Sequence, residues 1–600
     1  MAYLKIAPNR EGRIYYYIEQ GYREKGKLKK RTLHRIGRHD LMASNGDSDP
    51  LATAKLAVDE WNKNQGEAFI SKAVSVNTES STALLNLGHQ VLLGIYDTFG
   101  ISSVFKEYAR DYRFEYDLNE IMKVLVLGRI LDPASKSHTV TNFQNTLSTS
   151  FSVAQNDMDR SLDHFAHEGL KRTIQIKMHK SITRLTSRIG YLAFYDVTNY
   201  YFESDLGDPD ILQDGTKTLK NKTQQKKSGI GLDQVAVRGL RRRGPSKEYR
   251  RDPIVQLGLF MDSNGIPISY ELFAGNETDP LTYVPAIAQV KRQFGLERIV
   301  VVADKAMNSR YNVADAASRG DGWLFSQKVR GRTGVPKDIQ EFALSPDDWE
   351  FSEDLRTAKK SMTRIRKVPN VNGKPNEPKT REIEEKVVVT WREKYAVREK
   401  KRRDDALEYA TALTNPERFR RTMKAGGKRY VKMTLIDLKT KEEVVAHPLL
   451  GIDQDAINYD AQFDGLNVIV TSETKMSDEE VIAAYGELGK IEDCFRVSKS
   501  DLMTRPVFVW THEHIEAHFL TCFIALTVLR YLQYKLGYKY SPKRIIDALS
   551  CFLGEYWAGG YWNTFSSDDT KAILGELGCD VSRKYLPTEV VTNLKRKVRL

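Results

Sequence analysis

The chain has 600 residues, too many for one hydrophobic core, and its 41% hydrophobic and 28% charged residues exclude a disordered or fibrous protein. A formal net charge of +13 favours a polyanionic partner. Cys494, Cys522, Cys551 and Cys579 are spaced too widely for a zinc ribbon, a redox pair or a disulfide framework. The longest apolar stretch, Phe519 to Leu529, is far shorter than a membrane span, and no apolar signal segment follows Met1. A cytoplasmic protein with no membrane association is therefore expected.

In chain order, residues 1–45 read as a β-hairpin unit: RIYYYIEQGYR and KLKKRTLHRIG are rich in β-branched and aromatic residues and joined by KGK. Its lysines and arginines either lie along phosphates or form a solvated edge. After a linker at His39 to Pro50, residues 51–188 carry apolar side chains at helical spacing, as in ALLNLGHQVLLGIYDTFG, and form a helical domain without a ligand or nucleophile constellation.

Strand signals follow in residues 189–343. GYLAFYDVTNYYFE is followed by PIVQLGLFMD and PISYELFAGN, joined by the turn Ser263-Asn264-Gly265. Asp279-Pro280 then reads as a helix N-cap and first helical residue, with the helix running to Phe294. RIVVVAD is apolar throughout, as in a strand covered on both faces, and GWLFSQKV adds another strand after a short helix. This is the order of an RNase H-like mixed sheet with flanking helices. Residues 344–466 are charged and irregular and read as a β-rich insertion domain. Strand pattern returns at GLNVIVTS, opening the final part of the core at 467–540, and residues 541–600 read as a helical tail.

Asp196 and Asp304 each belong to a core strand, where a bare carboxylate is costly unless its charge is offset. Hard oxygen donors without paired Cys or His favour Mg²⁺ or Mn²⁺ over zinc. Glu492 completes the set: on a continuous helix, Tyr485, Glu492 and Lys499, seven apart, share a face beside a stripe of Leu488, Ile491 and Phe495. Asp493 and Glu487 point elsewhere. His514 and His518 flank Glu516 in the order His-x-Glu-x-His, which lacks the spacing of a zinc helix. Glu203 and Asp205 read as loop carboxylates.

A long basic stretch follows the strand that carries Asp196: Lys217, Lys220, Lys222, Lys226, Lys227, Arg238, Arg241, Arg242, Arg243, Lys247, Arg250 and Arg251. It either clamps a DNA backbone or is simply solvated, and the same choice holds for Arg392 to Arg403.

These sites resemble the DDE transposases of prokaryotic insertion sequences. More closely, they resemble the insertion-sequence-four-like subgroup, whose last catalytic residue lies in a Tyr-x2-Arg-x3-Glu-x6-Lys signature preceded by a β-rich insertion. Tyr485, Glu492 and Lys499 match, and Leu488 replaces the arginine, with Arg496 one turn beyond Glu492 as a substitute for its DNA contact. YDVTNYYFE, DSNGIPISYELFAGNETD, ADKAMNS and RPVFVWTHEHIEAHFLTCFIALTVLRYL share the resemblance, which spans roughly residues 190 to 535. It implies two metal ions per active site, with Asp196 bridging and Asp304 and Glu492 each holding one. It also implies cleavage at the element's terminal inverted repeats, strand transfer into target DNA, and a homodimer on paired ends of nucleoid DNA. The alternatives are an RNase H-like nuclease that does not join, and a catalytically inactive DNA-binding relative.

Overall fold

The computed structural model describes residues 2–8, 12–24, 27–44, 47–63, 84–186, 188, 192–218, 235–248, 251–373, 376–412, 431–436, 447–557 and 560–598. The chain divides into two compact units, one of Met1–Thr186 with Cys494–Leu600 and the other of Ser187–Asp493.

In the first unit, β1 (Ala2–Pro8), β2 (Ile14–Glu24) and β3 (Lys27–Arg38) form an antiparallel sheet, one strand more than the predicted hairpin. Ile18 of this sheet is buried with Val58 of α1 (Pro50–Lys63), and Trp61 packs against them. The short strand β4 (Leu85–Asn86) precedes a helical stretch: α2 (His89–Thr98), α3 (Leu118–Leu131), α4 (Lys136–Thr141), α5 (Gln155–Phe165) and α6 (Glu168–Leu185). Asp117 starts α3 by accepting from the Asn119 and Glu120 amides, as an N-cap aspartate should.

The second unit is built on one mixed sheet. Its strands are β5 (Leu192–Tyr201), β6 (Ile254–Met261), β7 (Pro267–Ala274), β8 (Val300–Ala303), β9 (Gly322–Gln327), β10 (Glu350–Phe351), β11 (Thr357–Pro369), β12 (Thr380–Arg392) and β13 (Leu466–Thr471), in the order β7-β6-β5-β8-β9-β13-β12-β11-β10. β5, β8 and β9 run parallel, and the other neighbours are antiparallel. The β6–β7 turn is the expected one, with Gly265 at φ 78, where a side chain would be strained.

Alternation along the strands separates two faces. Ala193, Tyr195, Val197, Val301, Ala303, Trp323 and Phe325 share one buried cluster with Tyr283 and Ile287 of α7 (Asp279–Phe294) and Val313 of α8 (Arg310–Ser318). Val387, Val389 and Val368 belong to the same cluster, so β11 and β12, read as part of a separate insertion, lengthen the core sheet. Their charged residues hide this, because a half-covered extension of a sheet and a free hairpin both carry charge on an open face. Beyond β12, α9 (Glu393–Ala412) carries the basic stretch, and Arg403 is buried against Asp464 at 2.6 Å. α10 (Asp478–Gly486) opens on a Ser477–Glu480 capping box and is held to β12 by Lys386, 2.7 Å from Asp478.

α11 (Gly489–Arg496) leads out of this unit. The first unit then resumes with α12 (His512–Lys535), long and apolar enough by composition to cross a membrane, yet 94% of that window is buried among α2, α3 and α5. It is a core helix. Residues 541–600, expected to be helical, are mixed. Between α13 (Pro542–Ser550), α14 (Asp568–Glu576) and α15 (Thr588–Lys597) lie β14 (Leu553–Trp557), β15 (Tyr561–Phe565) and β16 (Tyr585–Pro587), which form a sheet with β4. The partner strand comes from residue 85, a pairing that no local pattern announces.

Candidate active site

The β5–β8 register pairs Leu192 with Val300 and Phe194 with Val302. Two residues further along are Asp196, within β5, and Asp304, the residue just past the end of β8. In a parallel pair they therefore lie level, on adjacent strands and on the face opposite the α7–α8 cluster. Both side chains are half-buried and each is oriented by a local amide: Val197 N–H donates to Asp196 Oδ1 at 2.7 Å, and Ala306 N–H to Asp304 Oδ1 at 2.8 Å. Burial pushes the Asp196 carboxyl up to about 6, and Asp304 and Asp279 push the same way, while Lys247 and the Val197 amide oppose it.

Asp279 is the residue that sequence reasoning missed as part of this neighbourhood. It is not the N-cap of α7, a place taken by Thr278, but a residue of the first turn. Its carboxyl is also raised, by burial and then by Asp304, and Lys247 Nζ stands 3.7 Å from Asp279 Oδ2 while donating to the Val197 carbonyl at 2.5 Å. Tyr195 helps fix the start of α7 by donating its hydroxyl to Thr282 Oγ1 at 2.8 Å. An aspartate at a helix start is ordinary in sequence; only the fold brings it beside Asp196.

The segment bearing Glu492 corrects one expectation. Tyr485 ends in α10, and a break at Glu487–Leu488 separates it from α11, so no continuous helix carries Tyr485, Glu492 and Lys499. Lys499 lies in a π-helical turn, Val497–Asp501, which also interrupts the seven-residue spacing. Tyr485 nevertheless meets the carboxylates. Its phenol is held above its ordinary pKa, first by burial, and the charges of Asp304, Glu492 and Asp196 act in the same direction against a hydrogen bond with Ser326. Ser326 alternates with Phe325, so Tyr485 lies over the Asp196 and Asp304 face. Glu492 is exposed, Leu488 and Ile491 are buried, and Lys490 tethers the segment by donating to the Ser263 carbonyl at 2.9 Å. Asn308, just after Asp304, donates to the Ser326 carbonyl at 3.2 Å and accepts from Arg366 at 2.9 Å, bracing the turn.

Among the described residues no three His, Cys, Asp or Glu side chains are grouped closely enough to hold a metal ion. The donor chemistry still fits a hard divalent cation at Asp196 and Asp304, whose mutual repulsion and burial a positive charge would relieve. Glu492 is not drawn into that pair.

The basic stretch behaves differently from a row of free cations. Arg241 is paired with Asp208 at 2.5 Å, and Arg242 is buried and paired with Asp210 at 2.8 Å, so both arginines fasten their own segment instead of presenting charge to a ligand. Arg243 is exposed, 3.3 Å from an exposed Asp205. Lys220, Lys222, Lys226, Lys227 and Arg250 lie outside the described residues. Arg496, on the first unit's side of the boundary, pairs with Asp501 at 3.3 Å.

A half-buried carboxylate pair on adjacent parallel strands, Asp196 within β5 and Asp304 just past the end of β8, with Tyr485 over the same face, defines a carboxylate-centred site. Residues 224–528, just over half the chain, match the family model described as the transposase DDE domain, and the chain belongs to that family. Nuclease and transposition activity goes with this family, whose domains generally use divalent metals. Asp304 and Glu492 fall inside the matched range and Asp196 before it. A solved piggyBac transposase synaptic complex with hairpin DNA is similar at 8% identity, with a TM-score of 0.30, covering 81% of this chain and 86% of that one, too slight a likeness to carry an argument. No curated protein matches.

Proposed function

We propose that this chain is a transposase of the insertion-sequence-four-like subgroup, which cuts the terminal inverted repeats of its element and joins them to target DNA as a homodimer on paired ends in the cytoplasm. The observation that carries the reading is the level placement of Asp196 and Asp304 on neighbouring parallel strands, with Tyr485 sensing both of them and Glu492. The strand order β7-β6-β5-β8-β9, with β5, β8 and β9 parallel, supports an RNase H-like core. Leu488 in place of the signature arginine is the departure from the subgroup.

In this reading Asp196, Asp304 and Glu492 would hold two Mg²⁺ or Mn²⁺ ions, which when bound polarise a phosphoryl oxygen and activate the attacking hydroxyl. The chain's own groups prepare that place. The Val197 and Ala306 amides aim the two aspartates. Lys247, near Asp279, offsets part of the carboxylate charge beside β5. Tyr485, protonated at neutral pH, stands over them as a hydrogen-bond donor. Arg243, Lys247, Arg496 and Lys499 remain candidates for DNA contact.

The test is Mg²⁺-dependent cleavage and joining of DNA carrying the element's ends, with wild type against Glu492→Ala. Wild type should cut and join while the variant binds but does neither. Equal cutting by both removes Glu492 from the site. Cutting without joining reduces the protein to a nuclease, and binding without cutting by either makes it an inactive relative.

A further inference from the structure

The first unit holds a second polar centre, where the end of α3 and the start of α4 meet residues 502–504 and His518 of α12. Arg129, in the last turn of α3, is buried. Its guanidinium reaches only backbone carbonyls, at 3.3 Å (Met503), 3.5 Å (Leu502) and 3.4 Å (Ala134), and Nε has no partner among the described residues. Lys136, the first residue of α4, points its ammonium at His518 Nδ1, 3.3 Å away. His518 Nε2 lies 3.2 Å from the Thr504 carbonyl, so the ring donates there and accepts from Lys136, which requires the neutral imidazole. Burial keeps it neutral, and the charges of Lys136 and Arg129 act the same way.

Two cations thus converge without a carboxylate partner among the described residues. The nearby acids are engaged elsewhere: Asp132 with His138 at 2.9 Å, Glu516 with Lys171 at 3.3 Å, and Asp159 with Gln155 at 3.1 Å. Burial, reinforced by Arg129, draws the Lys136 ammonium down to about 8, and Asp159 and Cys522 offset this only in part. Carbonyl contacts of 3.3–3.5 Å sit at the long edge of hydrogen bonding and satisfy a guanidinium poorly. A buried guanidinium beside a half-buried ammonium is costly without an anion to meet them. A planar fork beside a point ammonium, with an Nε left over, matches the several acceptor oxygens of a phosphate.

We propose that Arg129 and Lys136 form a site for a phosphate group, that of a DNA backbone. The proposal rests on the reading of this chain as DNA-acting and adds a contact in the first unit that none of the motifs indicates. Such a contact positions the duplex and carries no base preference.

The test uses the full chain as wild type, Lys136→Met and Lys136→Gln, the last retaining a donor toward His518. Thermal unfolding is followed against inorganic phosphate at constant ionic strength, with chloride as the balance, and binding of a short duplex is followed against salt. Wild type should gain a saturable rise in Tm with phosphate, absent in both variants, and the variants' salt slope should fall by about 0.9 for the lost contact, equally for all sequences. A wild-type response to phosphate no different from chloride overturns the site, even if neither variant folds. A phosphate response lost in the variants with an unchanged DNA slope makes it a free-phosphate site and overturns the DNA assignment. If wild type binds no DNA at all, the functional reading fails, while the phosphate response still decides the site.

Discussion

Asp196→Asn is expected to stabilise the protein and abolish its chemistry together. The carboxyl of Asp196 is raised from 3.8 to about 6 in the folded chain, chiefly by burial. At 1.36 kcal/mol per unit, its ionised form costs the fold about 3 kcal/mol. Between these two values the folded chain binds more protons than the unfolded one, so this contribution to stability is present below about 3.8, is lost as pH rises, and is gone above about 6. An asparagine never ionises and still accepts from the Val197 amide. The variant should therefore exceed wild type by up to about 3 kcal/mol near pH 8, with the difference vanishing below about pH 4. Unfolding by denaturant at both pH values, with a chelator present, measures it, and adding Mg²⁺ at the higher pH should raise wild type alone. A variant no more stable than wild type near pH 8, or an advantage that persists in acid, would refute the reasoning. Retained cleavage would remove Asp196 from the site.

Arg188 and Asp262 form a fully buried pair at 2.6 Å beside the β6–β7 turn, and Asp262 Oδ1 also accepts from the Ile266 amide at 2.8 Å. Arg188→Ala leaves that carboxylate buried without its counter-charge, and a loss of about 3–5 kcal/mol is expected from the unfolding midpoint. In the basic stretch, Arg242→Ala should lower Tm by leaving the buried Asp210 carboxylate with Arg238, 3.0 Å away, as its one remaining arginine among the described residues. Arg243→Ala should leave Tm unchanged and flatten the salt dependence of DNA binding by about 0.9. The reverse pattern would mean that Arg242, not Arg243, meets the phosphates.

Local chemistry alone settled much of the second unit. The apolar runs of β5, β8 and β9, the Gly265 turn and the Ser477 cap each depend on neighbours within a few residues, and each lies where the pattern put it. Asp196 lies within its strand as the pattern put it, while Asp304 falls one residue past the end of β8. What only the tertiary structure decided were relations between distant segments. Asp196 and Asp304 stand level because β5 and β8 pair in register, and register is a property of two strands. Asp279 joins them because the β6–β7 hairpin delivers the start of α7 beside β5. The charge row at 241–242 turned inward because Asp208 and Asp210 fold back onto it, and burial rewards pairing over exposure. The break between α10 and α11 was hidden because the apolar spacing of Tyr485 to Lys499 is helical throughout, and the local signal, Gly486 and Gly489 at the two helix ends, is one that a continuous helix can tolerate. Composition and period set what each stretch of this chain can be. Which charges meet, and which are left uncompensated as at Arg129 and Lys136, depends on long-range packing, since the cost of a buried charge arises only once its surroundings close around it.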